Sequence, residues 1–65
     1  QNILTYDTKD CIINISDNTL AVIQGLKDYI IVESDGILLI CKKKDEQKIR
    51  QFVNDVQTKK GDSYL

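Results

Sequence analysis

Short apolar segments alternate with short polar segments along the first two thirds of the chain. Five of these segments are rich in β-branched or aromatic residues, which favour strands, and Asp, Asn, Ser and Gly residues that favour turns separate them. The predicted strands are residues 3–6, 11–15, 20–23, 29–33 and 37–41. They begin eight or nine residues apart, a step that suits a meander, a small barrel or the coils of a β-solenoid.

The pattern within each strand indicates how many of its faces are covered. In residues 11–15, positions for a buried face alternate with positions for a partly solvent-exposed face, as expected for a strand covered on one side. Residues 30–32 and residues 37–41 are apolar without a break. We therefore expect the last two strands to be covered on both faces.

One amphipathic helix is predicted over residues 45–60. Asp45 near its start suits the positive end of the helix dipole, and Gly61 after two lysines suits a left-handed C-terminal cap. The apolar residues recur at positions i, i+3, i+4 and i+7, which places them in one stripe. They are Ile49, Phe52, Val53 and Val56.

This stripe is expected to pack against the strands at 29–33 and 37–41, because those strands lack a polar face. Tyr29 opens the first of them and Leu39 lies in the middle of the second. Both residues are therefore assigned to the same packing layer as the helix.

The glycines are interpreted as turn or cap residues. Gly25, Gly36 and Gly61 lie at segment boundaries, where a residue without a Cβ atom relieves backbone crowding. Their spacing fits neither a dinucleotide fingerprint nor a phosphate-cradling loop.

Size and charge narrow the possible partners. A chain of 65 residues forms one domain at most and buries little of its unfolded surface, so we expect it to need a partner surface. A net charge of −1 and a pI near 5.1 argue against nucleic-acid binding.

No apolar run approaches the roughly 20 residues of a membrane span. The first residue is Gln1 rather than Met, which suggests a piece of a longer protein.

The two cysteines indicate a reducing compartment. Cys11 and Cys41 both lie in apolar segments, where a free thiol behaves as a small hydrophobic group. Two cysteines without any histidine cannot complete an ordinary four-ligand zinc site. We expect buried free thiols and a cytoplasmic protein.

The sequence offers no candidate catalytic group. No histidine is available to activate a serine, and the aspartates fall in predicted turns or at the helix start. Residues 42–44 are three lysines that could form an anion patch, but solvated lysines are common at a strand-to-helix junction. The solvated interpretation is preferred, and no catalytic, cofactor-binding or metal-binding residue is assigned in this chain.

The segment from Gly25 to Lys42 resembles the C-terminal region of the mannose-1-phosphate guanylyltransferases. A Gly-Leu-x-Asp turn at 25–28 leads into a Val/Ile-rich strand, and an Asp-x-Leu-Leu strand then ends in a lysine-rich junction. Residues 45–53 look like the helix that ends the shorter members of that family. Gly36 stands where the family more often has alanine or valine.

The resemblance implies a mainly β fold, a short left-handed parallel β-helix closed by one C-terminal α-helix. It implies a single-domain fragment with β-helix strands over residues 1–42 and a packing helix over residues 45–60. In that family an N-terminal nucleotidyltransferase domain converts GTP and mannose 1-phosphate to GDP-mannose and pyrophosphate with a divalent metal, Mg²⁺. The C-terminal part serves packing and assembly into a homo-dimer or higher oligomer.

The family's catalytic signature is a glycine-rich loop with arginine and proline, whereas this chain has no proline and Arg50 as its single arginine. The resemblance therefore implies a fragment without catalysis of its own. The alternative from a different class is a free-standing five-strand β-barrel that acts as a binding or adaptor module.

Overall fold

The computed structural model describes residues 2–64, with side chains described for residues 2–60. Five short strands precede a helical segment that is kinked at Asp45, so the predicted mainly β architecture with one C-terminal helix is confirmed. In chain order the elements are β1 (Ile3–Tyr6), β2 (Ile12–Asn14), β3 (Ala21–Gln24), β4 (Tyr29–Ser34), β5 (Ile37–Lys42), a 3₁₀ helix (Lys43–Lys48) and α1 (Ile49–Tyr64).

The first four strands pair in parallel at one constant register. β1 pairs with β3, and β2 pairs with β4. Every residue in these pairs lies beside the residue 18 positions later, as Ile3 beside Ala21 and Ile12 beside Ile30 show. An isolated parallel bridge between Lys9 and Lys27 keeps the same offset. The chain therefore makes two stacked passes of equal length.

The corners of the two passes repeat as well. Asp7 and Gly25, which occupy equivalent positions, have φ values of 52° and 80°. Asp10 and Asp28, the next equivalent pair, have φ values of 55° and 62°. Asp is one of the few residues other than glycine that enters this left-handed region at modest cost. These corners turn the chain at the same places in each pass.

The repeat is visible in the sequence once the register is known. Lys-Asp-x-Ile-Ile occurs at residues 9–13 and again at residues 27–31. The predicted step of eight or nine residues is half of this structural period, because each pass contains two of the assigned strands. A search for period-nine strands therefore overlooks the 18-residue unit.

A tight turn ends the parallel arrangement. Asp35 and Gly36 have φ values of 53° and 77°, the signs that a two-residue type I′ hairpin requires. The turn reverses the chain, and β5 pairs antiparallel with β4. Residues 39–42, which the 18-residue register would place beside β3, lie in β5 instead.

The core of the described chain is small. Its buried apolar side chains are Ile23, Ile30, Ile31 and Cys41, each between 4% and 8% exposed. Since Ile30 and Ile31 point to opposite faces of β4, both faces of that strand are covered. Tyr29 in β4 and Leu39 in β5 are half-buried.

The prediction that β5 is covered on both faces is wrong. Its Leu38 and Ile40 side chains are 62% and 53% exposed, whereas those of Ile37 and Leu39 on the other face are half-buried. The strand has left the stacked passes through the hairpin, so no further pass lies over this face in the described chain.

The helical segment differs from its predicted bounds at both ends. It starts at Lys43 as a 3₁₀ helix, and α1 continues through Gly61 to Tyr64. The predicted start at residue 45 and the predicted cap at Gly61 are therefore wrong. A glycine in the interior of a helix destabilises that helix by only about 1 kcal/mol relative to alanine. The helix therefore continues past the glycine unless the residues that follow gain more from packing elsewhere.

The helix covers the sheet less completely than predicted. Ile49, Phe52 and Val56 are half-buried, but Val53 is 46% exposed, so its predicted burial is wrong. An open groove of about 290 Å³ remains between α1 and the β4–β5 hairpin. Val53 and Val56 both line this groove, so the hairpin does not close over the whole apolar stripe.

Truncation of the most buried side chain tests this small core. Ile31→Ala is expected to lower the free energy of unfolding by about 2 to 4 kcal/mol, because it leaves a cavity among packed residues. Ile12→Ala removes the same atoms from a side chain that is 51% exposed and is expected to cost less than about 1 kcal/mol. Urea unfolding followed by circular dichroism measures both losses, and equal losses would contradict the assignment of the core.

Candidate interaction surface

An apolar groove runs between β3 and the β4–β5 hairpin. Its volume is about 480 Å³. Side chains from both sides of the gap form it, chiefly Leu20, Val22, Ile23, Ile31, Leu38 and Ile40. We call this feature the apolar groove.

The rim of the apolar groove is solvent-exposed although it is aliphatic. Leu20, Val22, Leu38 and Ile40 are between 53% and 67% exposed. Single exposed aliphatic residues are common on soluble proteins, but a contiguous group marks a place where another surface docks. The floor, by contrast, contains the buried residues Ile23 and Ile31.

The groove exists because the hairpin diverts β5 from the parallel stack. Within the described residues β3 pairs with β1 alone, so the backbone groups along its other edge have no strand partner. An unpaired strand edge is a ready template for another strand. The position next to β3 therefore offers both backbone hydrogen bonds and apolar side-chain contacts.

The outward face of the β1–β3 pair continues this apolar surface. Leu4 and Val22 are register partners and therefore lie on one face of the two-stranded sheet. Tyr6, two residues beyond Leu4, lies on the same face. All three side chains are exposed.

A carboxylate holds one end of the groove in place. Glu33 Oε1 accepts hydrogen bonds from the Ser16 backbone amide at 2.9 Å and from the Ser16 hydroxyl at 2.8 Å. The Ser16 and Thr19 hydroxyls lie 3.1 Å apart. These contacts tie the turn before β3 to β4, so they set the separation between Leu20 and the hairpin.

The same contacts lower the pKa of the Glu33 carboxyl. The hydrogen bond from the Ser16 amide, followed by that from the Ser16 hydroxyl, lowers the pKa of the Glu33 carboxyl below its usual value, and partial burial opposes this shift. Both donors stabilise the ionised form. The turn is therefore held most firmly when Glu33 is charged.

The residues assigned to packing from the sequence lie outside the apolar groove. Leu39 is on the face of β5 that looks toward α1, where it lines the smaller groove with Val53 and Val56. Tyr29 lines a separate cavity among lysines. The sequence predicts Leu20 and Val22 only as parts of a strand. The signal for their place on the rim of the groove is the apolar run at 20–23, together with a fifth strand that has no polar face.

The described residues contain little of the chemistry found in catalytic or metal sites. They contain no group of three or more His, Cys, Asp and Glu side chains that could hold a metal ion. Cys11 is half-buried and Cys41 is buried, and both thiols are free. No helix among the described residues is long and apolar enough to cross a membrane.

A known domain family matches most of the chain. Residues 1–56 fit the family described as the MannoseP isomerase/GMP-like beta-helix domain. The chain belongs to this family. The parallel pairing of β1 with β3 and of β2 with β4 agrees with the family's description as a β-helix domain.

One curated relative extends the comparison over nearly the whole chain. The chain is 33% identical over 64 residues to a protein named mannose-1-phosphate guanylyltransferase 2 from Escherichia coli O157:H7. The aligned region covers 98% of this chain and 13% of that protein, so the chain spans a small part of its relative. The resemblance to the C-terminal region of these enzymes is confirmed, and no solved structure gives a significant match.

The contacts of Glu33 predict a stability that depends on pH. Because its pKa is lowered in the folded state, its contribution to stability is present above the unfolded pKa of a glutamate and is lost as the pH falls through the lower folded value. Glu33→Gln is expected to be less stable than the parent chain at neutral pH and to lose less stability between about pH 5 and about pH 3.

Thermal unfolding at a series of pH values measures this difference. Glu46→Gln, which removes an exposed carboxylate on the 3₁₀ helix, is the matched control and is expected to keep the steep acid loss of the parent chain. Identical acid profiles for Glu33→Gln and the parent chain would contradict the role of the Ser16–Glu33 contacts.

Proposed function

We propose that this chain is the C-terminal structural and oligomerisation domain of a mannose-1-phosphate guanylyltransferase. The N-terminal nucleotidyltransferase domain of the parent enzyme joins GTP and mannose 1-phosphate to give GDP-mannose and pyrophosphate. This chain contributes surfaces for assembly and no reacting group. The observation that carries this proposal is the exposed apolar groove beside the unpaired edge of β3 in a member of the β-helix domain family.

The proposed fold is a short left-handed parallel β-helix closed by the C-terminal helix. The constant 18-residue register supports it, because three hexapeptide units, the repeat found in one class of parallel β-helix, make one coil of that length. The equivalent corners at Asp7 and Gly25 and at Asp10 and Asp28 also support it. The hairpin at Asp35 and Gly36 then ends the coils.

Two partners are proposed for the exposed surface, the N-terminal domain of the parent enzyme and a second copy of the chain. Obligate interfaces resemble a domain core cut in two and are more apolar than the rest of the surface. The rim residues Leu20, Val22, Leu38 and Ile40 have this character. A small core, four buried apolar side chains among those described, also leaves the chain dependent on contacts made through assembly.

The metal and the reaction are assigned to the other domain of the parent enzyme. Transfer of a nucleotidyl group depends on cations and donors positioned around phosphates. The described side chains do not fit a Mg²⁺ site, because the acidic residues among them do not cluster. The divalent metal is therefore proposed for the N-terminal domain, and a cytoplasmic setting is proposed on the two free thiols.

A free-standing β-barrel adaptor is the weaker alternative. A barrel closes its sheet on itself, whereas the described strands form one two-stranded and one three-stranded sheet. The acidic composition with few aromatic residues also lacks the basic stacking surface of barrels that bind single-stranded nucleic acid.

Self-association of the chain tests the assembly role. Sedimentation of the chain is expected to show a dimer or larger species, and Val22→Glu or Leu38→Glu is expected to shift it to monomer, because each change places a charge on the rim of the apolar groove. Ile12→Glu makes the same change at an exposed apolar residue outside the groove and is expected to keep the assembly. A monomeric parent chain, or equal disruption by Ile12→Glu, would contradict the proposal.

The intact parent enzyme provides a second test. Val22→Glu in that enzyme is expected to lower its assembly state or its melting temperature while kcat per folded active site changes little, because no reacting group lies on this surface. Sedimentation, thermal unfolding and steady-state kinetics separate these effects. Normal assembly and stability with a reduced kcat would count against a structural role.

A further inference from the structure

Five of the nine basic residues of this acidic chain lie at one corner of the fold. Lys27, Lys42, Lys43 and Lys44 line a cavity of about 300 Å³ together with Asp28 and Tyr29. Lys9 lies directly beside Lys27 through their parallel bridge. We call these five lysines and their cavity the basic corner.

Backbone hydrogen bonds hold the three lysine-bearing segments of the basic corner together. The Lys9 amide donates to the Leu26 carbonyl at 3.0 Å, and the Asp28 amide donates to the Lys9 carbonyl at 3.1 Å. The Lys43 amide donates to the Asp28 carbonyl at 2.8 Å. The two stacked passes and the start of the 3₁₀ helix therefore meet at Asp28, and backbone hydrogen bonds hold the lysine-bearing segments next to one another.

The arrangement concentrates an excess of positive charge, because four lysines and one aspartate line the cavity. Bridged residues in parallel strands carry their side chains on the same face about 4.8 Å apart, so the ammonium groups of Lys9 and Lys27 start from adjacent positions, a destabilising pairing for like charges. Among the described side chains the one ion pair is Lys48 with Asp45, which lies outside this cavity. Asp28 is the carboxylate that lines the cavity, and Asp10 is at the equivalent corner of the first pass.

We infer that the basic corner binds a compact, multiply charged phosphate group, such as that of a phosphorylated metabolite. The cavity carries an excess of positive charge, with four lysines against the one carboxylate of Asp28, and such a cleft attracts a counter-ion. Its volume of about 300 Å³ is at the small end of the range for ligand sites. Tyr29 also lines the cavity, and its side chain carries a neutral hydroxyl donor. Binding at this corner replaces the interpretation of the lysines at 42–44 as a solvated junction, and it does not depend on the assembly role of the apolar groove.

Amide chemical shifts of the isotopically labelled chain, titrated with pyrophosphate at constant ionic strength, test the inference. Saturable shifts are expected at residues 27–29 and 42–44, with weaker binding of orthophosphate and of sulfate. The double variant Lys27→Gln with Lys43→Gln is expected to bind pyrophosphate about tenfold or more weakly, because two ammonium charges next to the anion are lost.

The control is the double variant Lys59→Gln with Lys60→Gln, which makes the same change in net charge near the end of α1. It is expected to bind pyrophosphate as the parent chain does. The amide spectra of both variants also report whether each remains folded. Shifts that do not saturate, equal weakening in both double variants, or sulfate binding as tight as that of pyrophosphate would overturn the inference. Tighter binding of a polyglutamate peptide at the same amides would overturn it in favour of docking to an acidic protein.

Discussion

The structure depends on the constraint that parallel strands 18 residues apart stay in one register. That register requires the backbone to turn at the same places in each pass, and a left-handed conformation at those places is available to few residue types. Asp7, Gly25, Asp10 and Asp28 satisfy this requirement at equivalent positions. With the corners set, β1 meets β3, β2 meets β4, and Ile23 and Ile31 come to the interior.

The exposed surface follows from the way this register ends. The type I′ turn at Asp35 and Gly36 sends β5 back along β4, so the place beside β3 is left without a strand in the described chain. The side chains around this position therefore form the walls of the open apolar groove rather than a closed core. The place without a strand beside β3 thus exposes backbone edge and aliphatic side chains together, a combination that favours docking of another surface.

The repeat also explains why lysines collect at one corner. Lys9 and Lys27 are equivalent residues of the two passes, and parallel register stacks equivalent side chains on the same face. The strand-to-helix junction reaches the same place because the Lys43 amide is bonded to the corner residue Asp28. A feature that looks like three junction lysines in the sequence becomes a cluster of five when distant segments are stacked.

The sequence by itself determined the local elements and the family. β-branched runs between turn formers predicted five strands, the spacing of Ile49, Phe52 and Val56 predicted the helix, and the segment from residue 25 to residue 42 identified the relatives. These features depend on neighbouring residues, whose steric and periodic preferences are legible along the chain. Parallel pairing at 18 residues was also present as a repeated Lys-Asp-x-Ile-Ile pattern, although a nine-residue strand step concealed it.

Tertiary structure alone decided which side chains are covered. The aliphatic runs at 20–23 and 37–41 look like core in the sequence, yet Val22 and Leu38 are exposed because the hairpin carries β5 away from β3. Val53 has the periodicity of a buried residue but is exposed, because the groove that it lines between α1 and the β4–β5 hairpin stays open. Burial depends on which other segments lie opposite a residue. Turns and strand register far along the chain decide which segments those are, and the residue's own sequence neighbours do not.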